Sequence, residues 1–167
     1  MNINNDDILT EQYAIISYSH EKADAVVGVE LKVFEKYKIC YWFDENMNPG
    51  KNVTDQYIKI MDNKNCKGAI FFVSDSFLLS PFCAKEMHHF KDKYGVDDRD
   101  DKFCLFVMPK KYPYKDFNAI RDSVKKYADD KMDAETQERL KHLDENIELF
   151  LELNQRGDRK FVELGDA

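Results

Sequence analysis

GAIFFVSDSFLLSPFCAKE, Gly68 to Glu86, decides the fold, because an uncharged apolar run passes directly into a marked helix start. Ala69 to Val73 is β-branched and aromatic without alternation, the pattern of a strand covered on both faces and therefore placed mid-sheet. Ser80-Pro81 opens a helix: the serine oxygen takes an orphan backbone N–H, and proline sits at the first helical position, where its missing donor costs nothing. The helix is expected to run to about Tyr94, with Gly95 closing it. Cys83, Met87, Phe90 and Tyr94 form its apolar stripe, while Phe82, Glu86 and His89 share the neighbouring face. Glu86 thus stands on the border of the buried stripe, near the carboxyl end of a central strand.

Working outward, Tyr13 to Tyr18 reads as a first strand and Ile39 to Phe43 as a second, with a helix from Glu21 to about Tyr37 between them. Asp44 to Asn52, DENMNPGKN, is a loop dense in Asn, Pro and Gly, long for a strand-to-helix connection, and long loops at strand ends often carry function. A helix from Val53 to Asn63 follows, packing Tyr57, Ile60 and Met61 inward. Gly95 to Lys102, with its DDRDD run, reads as a solvated turn, since the central glycine and closing glutamate of a calcium loop are missing. Phe103 to Met108 is a fourth buried strand. The part from Tyr112 to Lys131 is compatible with a short helix over Phe117 to Tyr127 or with an edge strand near Val124 to Tyr127. Asp133 caps a long final helix to about Gln155, with Gly157 beyond its end.

Strands without alternation, separated by amphipathic helices, imply an α/β fold: a flavodoxin-like three-layer sandwich with a central parallel sheet of four to five strands, order 2-1-3-4-5, and helices on both faces. The topological switch then lies between the first and third strands. Ser17 to His20, Asp44 to Lys51 and Ser74 to Glu86 converge there. Residues 1–12 are expected to be a loosely packed or disordered tail, and 13–167 a single domain.

Composition narrows the function classes. A net charge of -7 with no continuous basic stripe argues against nucleic acid as the main partner. Lys110 to Lys115, KKYPYK, is the one basic, aromatic-interleaved patch and reads as a solvated loop. Cys40, Cys66, Cys83 and Cys104 are widely spaced, without zinc-ligand spacing, as buried thiols in a reducing compartment would be. The polar, acidic start MNINNDDILTEQ does not read as a signal peptide, and no apolar run approaches the roughly 20 residues of a membrane helix, so a cytoplasmic protein with no membrane partner is expected. GxGxxG, GxxxxGK[ST] and GxSxG are all absent. EMHH, Glu86 to His89, lacks a third ligand, so no metal is expected. Asp75 sits where a phospho-receiver carries its aspartate, but Ser17-Tyr18-Ser19-His20 offers no acidic residue to hold magnesium.

YAIISYSHEKAD, then WFDENMNPGKN, then FFVSDSFLLSPFCAKE together resemble a Toll/interleukin-1 receptor (TIR) domain of the bacterial NAD-cleaving type. The first matches the family's strand and ISYS opening, the second the aspartate and Pro-Gly of its BB loop, and the third its block ending [ST]-x-[WF]-C-x-x-E. The ordered set spans about Tyr13 to Phe90; the carboxyl-terminal half matches only in its strand and helix plan.

The resemblance implies two activities. Many bacterial and plant members cleave NAD+ at the nicotinamide–ribose bond, giving ADP-ribose or a cyclised form, whereas animal receptor and adaptor members mainly scaffold. It makes Glu86 the catalytic residue and puts Phe82 where tryptophan is usual, a ring that stacks but lacks the indole donor. Tyr18, Ser19, His20, Trp42, Asp44, Asn48, Lys51, Phe82 and Cys83 become candidates for substrate binding, and Asn48, Pro49 and Gly50 for BB-loop interaction. Trp42 and Phe82 are each open to a plain core role, and His20 and His89 to a surface one. The expected partner is NAD+, as substrate and not as cofactor. The expected setting is a bacterial immune or toxin effector that self-associates, the alternative a non-enzymatic scaffold.

Overall fold

The computed structural model describes residues 11–19, 32, 35–36, 40–42, 53–95, 102–156 and 158–162. The elements run β1 (Tyr13–Ser17), β2 (Tyr41–Trp42), α1 (Val53–Asp62), β3 (Cys66–Phe72), α2 (Asp75–Leu79), α3 (Pro81–Tyr94), β4 (Phe103–Pro109), α4 (Phe117–Lys131), α5 (Ala134–Arg139), a 3-10 turn (Leu140–His142), α6 (Leu143–Arg156) and β5 (Asp158–Val162). The strands form one sheet in the order β2-β1-β3-β4-β5, and every pairing is parallel. This is the doubly wound order expected from the sequence. The proposed amino-terminal tail up to residue 10, most of the helix expected over 21–37, and the run 96–101 lie outside the described residues.

Alternate residues of each central strand enter different layers, as a pleated strand requires. Tyr13, Ile15, Ala69, Phe71, Cys104 and Phe106 join one buried cluster, and Ala14, Ile16, Ile70, Phe72 and Val107 the other. Both faces of the sheet are therefore dry. Phe71 is the hub of the first layer, stacked on Phe106 at 5.4 Å and edge-on to Phe77 and Phe90 at 6.1 Å each, while Phe106 meets Phe150 at 5.2 Å. Gly68 lets β3 and β4 close up: a Cβ there would lie 2.4 Å from the Phe103 ring and 2.5 Å from the Phe103 carbonyl oxygen.

The helix starts follow their sequence signals. Ser80 caps α3, its Oγ accepting from Cys83 N at 3.3 Å, and Pro81 occupies the first turn; Gly95, at φ 75°, ends it. Asp116 and Asp133 cap α4 and α5 in the same way. Four details differ from expectation. A short helix, α2, capped by Ser74, intervenes before α3. Tyr112 to Lys131 resolves in favour of a helix, and the edge strand is instead β5, after the final helix. DRKFV holds only two apolar residues, and an edge strand needs no continuous apolar run. The long last helix tightens into a 3-10 turn at Leu140–His142, which no glycine or proline announces. Lys102, assigned to a solvated turn, is 7% exposed: its Nζ donates to the carbonyls of Asn63 and Cys66, both at 2.8 Å, and lies 5.4 Å from the Tyr94 ring centre. Among the described residues no helix is long and apolar enough to cross a membrane.

One polar network ties α1 to α3. Asp62 receives Lys93 Nζ at 2.9 Å and the Tyr94 hydroxyl, and His89 Nε2 stands 2.9 Å away. Burial alone would raise the Asp62 carboxyl, but the bonds from Tyr94, His89 and Lys93 outweigh it and hold the group below its ordinary 3.8. A depressed folded-state value stabilises above the unfolded one and is lost as pH falls through the folded one. The denaturation midpoint of Asp62→Asn should therefore lie below wild type at pH 5, and the gap should close as pH drops below 3.8. Independently, Gly68→Ala should cost about 1–3 kcal/mol in urea unfolding, since the added methyl meets backbone as well as ring.

Candidate active site

β1 ends at Ser17, and α3 enters beside it after β3, so the switch between β1 and β3 brings a strand terminus against a helix face. Cys83, Met87 and Phe90 anchor that helix in the core. Glu86 lies one residue from this stripe and is carried inward with it, to 7% exposure. The Ser17 hydroxyl donates to the Glu86 carboxylate. A charge taken out of water is stable only where donors meet it, and here the end of the first strand supplies one.

A third group completes the cluster. Tyr57 of α1 is fully buried, its ring edge-on to Trp42 with centres 6.3 Å apart. Its hydroxyl lies near Ser17 and Glu86 but outside hydrogen-bonding geometry. Burial first, and then the negative charge of Glu86, push this phenol well above its usual 10, so it stays protonated. Neither Ser17 nor Tyr57 was singled out for chemistry in the sequence. Ser17 belonged to the strand-end segment expected at the switch, whereas Tyr57 carried only the signal of an inward-facing helix position.

The other sequence candidates fall into three groups. Tyr18 and Ser19 continue from β1 and are buried, as is Cys83, whose thiol belongs to the core cluster. Trp42 presents no surface to solvent and backs Tyr57 from behind. Phe82 is 53% exposed, one helical turn before Glu86 on the same face, so its ring is open to a stacking partner. His20, Asp44, Asn48, Pro49, Gly50 and Lys51 lie outside the described residues. His89 is turned to Asp62, in the network that joins α1 and α3. A separate cleft of about 260 Å3 opens on the opposite side of α3, lined by Lys85, His88, Arg139 and His142 among others, and Glu86 takes no part in it.

No protein-family model matches the sequence, and no curated protein matches it. Among solved structures, the chain superposes on the TIR domains of the activated Roq1 resistosome, a structure described as directly recognising the pathogen effector XopQ, with a TM-score of 0.59. The match covers 89% of this chain and 87% of that one at 16% identity. The fold is that of a TIR domain. In this fold the Glu86 side chain of α3 is buried and faces the end of the first strand at Ser17.

Removing the donor isolates its contribution. Ser17→Ala leaves a buried carboxylate one hydrogen bond short and should lower unfolding free energy by about 1–3 kcal/mol near neutral pH. The same substitution in a Glu86→Gln background should cost less, because the charge is gone, and a double-mutant cycle in urea reads the difference.

Proposed function

We propose that this TIR-fold chain cleaves NAD+ at the nicotinamide–ribose bond, with Glu86 as the catalytic carboxylate. The observation that carries the reading is the buried Glu86 carboxylate, held by Ser17 where the strand order reverses. The pyridinium nitrogen of NAD+ already bears positive charge, so no acid is needed to protonate the leaving group, and one carboxylate suffices where glycosidases use two. The C1′–N bond breaks with its electron pair going to nicotinamide, which departs neutral. Positive charge develops on the ribose, and the carboxylate stabilises it from a low-dielectric setting. Water then adds to C1′ and loses a proton to solvent, giving ADP-ribose; attack by an adenine nitrogen instead gives a cyclic product. Phe82 supplies an open ring for nicotinamide or adenine. Tyr18, Ser19, His20, Asp44, Asn48 and Lys51 complete the substrate-binding set in this reading, whereas Trp42 and Cys83, both in the core cluster, back the site without touching substrate.

A cytoplasmic immune or toxin effector that works when self-associated fits this chemistry. Its free cysteines, three of them buried, suit a reducing compartment, and its structural neighbour belongs to a resistosome. The assembly to which that neighbour belongs is equally compatible with a second reading, a non-enzymatic scaffold docking through Asn48, Pro49 and Gly50.

The deciding measurement is nicotinamide release from NAD+, followed by chromatography at high protein concentration or in a crowded medium, wild type beside Glu86→Gln. Loss of turnover by about 100-fold or more with unchanged circular dichroism supports the enzyme. No release from the assembled wild type sinks it. Loss of self-association on changing Asn48, Pro49 or Lys51, with no turnover to lose, supports the scaffold.

A further inference from the structure

Three buried side-chain polar atoms among the described residues lack a hydrogen-bond partner: the hydroxyls of Tyr57 and Tyr112, and Arg121 Nε. Arg121 Nε stands 3.1 Å from Asp144, and Tyr112 is partly exposed. Tyr57 is fully enclosed. An unpaired buried hydroxyl costs about 1–3 kcal/mol, and phenylalanine would fill the same space against Trp42 without that cost. The hydroxyl is therefore a feature to be explained.

We propose that Tyr57 is a positioning residue for Glu86, its hydroxyl acting through Ser17 as the rear donor of a chain that holds the carboxylate ionised and correctly turned. Ser17 spends its one proton on Glu86, and its oxygen retains lone pairs that accept from a phenol. A donor behind Ser17 polarises its O–H and strengthens the bond it makes to the carboxylate. The phenol stays protonated beside the Glu86 charge, so it is a donor at every working pH.

The surroundings leave this effect legible. Among the described residues, the groups acting on Tyr57 are Glu86 and Cys83 on α3, Ser17 on β1 and Cys66 on β3, of which the thiols are buried. Trp42 of β2 adds an apolar ring. Along α3, Lys85 points into the opposite cleft, and His89 is engaged with Asp62. The inference deepens the catalytic reading of Glu86 but can be tested apart from it.

The test is the carboxyl carbon resonance of Glu86, assigned by its loss in Glu86→Gln, titrated in wild type and in Tyr57→Phe. Removing a donor to the charged form raises a carboxyl's midpoint, so Tyr57→Phe should move Glu86 upward by on the order of half a pH unit or more. Identical Glu86 titration or chemical shifts in the two folded proteins would overturn the proposal. Should Tyr57→Phe fail to fold, 3-fluorotyrosine placed at 57 keeps the ring and sharpens the donor, and should move the midpoint downward; no movement again overturns it. In an active preparation Tyr57→Phe should lower kcat/KM for NAD+ about 10-fold, mainly in kcat, and shift the acid limb of the pH profile upward. If wild type releases no nicotinamide, the catalytic reading fails while the resonance titration still decides the role of Tyr57.

Discussion

A carboxylate at 7% exposure persists only if donors come to it, and that requirement sets how β1 and α3 meet. Ser17 is the last residue of β1, so its hydroxyl reaches Glu86 only if α3 begins at the right height above the sheet. Ser80 and Pro81 fix that height by starting the helix at a single residue. A start one residue later would rotate Glu86 by about 100° around the helix axis, off the border of the buried stripe. Cap, helix phase and buried charge are thus one constraint seen at three levels.

The apolar frame and the polar ties divide the work. Phe71 and its ring partners hold α2, α3 and α6 against the sheet through contact that has no preferred direction. Direction comes from two polar clusters along the α1–α3 pair. At one end Tyr57 faces Ser17 and Glu86; at the other, Asp62 gathers His89, Lys93 and Tyr94. Both clusters advance along the two helices in the same sense, as parallel βα units require. Tyr13 adds a third tie, donating from β1 to the Ile60 carbonyl at 2.6 Å. Sliding α1 along α3 would break the Asp62 contacts with His89, Lys93 and Tyr94, and moving it against β1 would break the Tyr13–Ile60 bond, so directional bonds add to hydrophobic contact in setting its register.

Elements with a local cause were legible in the sequence. Four of the parallel strands showed as apolar runs, because buried strands must be dry on both faces, and the start of α3 showed as Ser-Pro followed by a stripe. β5 was not legible: Asp158, Arg159 and Lys160 announce no strand, and what holds them is pairing with β4, a partner about fifty residues away. Lys102 failed for a related reason, since its two carbonyl acceptors belong to the α1–β3 turn and to β3, which only the folded chain brings near. In the site, Glu86 was legible from spacing and Ser17 from strand order. Tyr57 was not, because a hydroxyl on an inward helix position looks the same in sequence whether it meets a carbonyl, as Tyr13 does, or a buried charge.

The two acidic clusters also differ in chemical character. Asp62 meets an ammonium, an imidazole and a phenol, and the outcome is a structural clamp whose charge is largely compensated. At Glu86 one donor is the neutral Ser17 hydroxyl, which orients a carboxylate without adding a charge of its own. In a low dielectric the field of such a charge reaches further than it does in water, and it attracts a group in proportion to the positive charge that group carries. The Ser17 hydroxyl at Glu86 and the cation-rich surroundings of Asp62 thus tie the two ends of the α1–α3 pair by different chemistry.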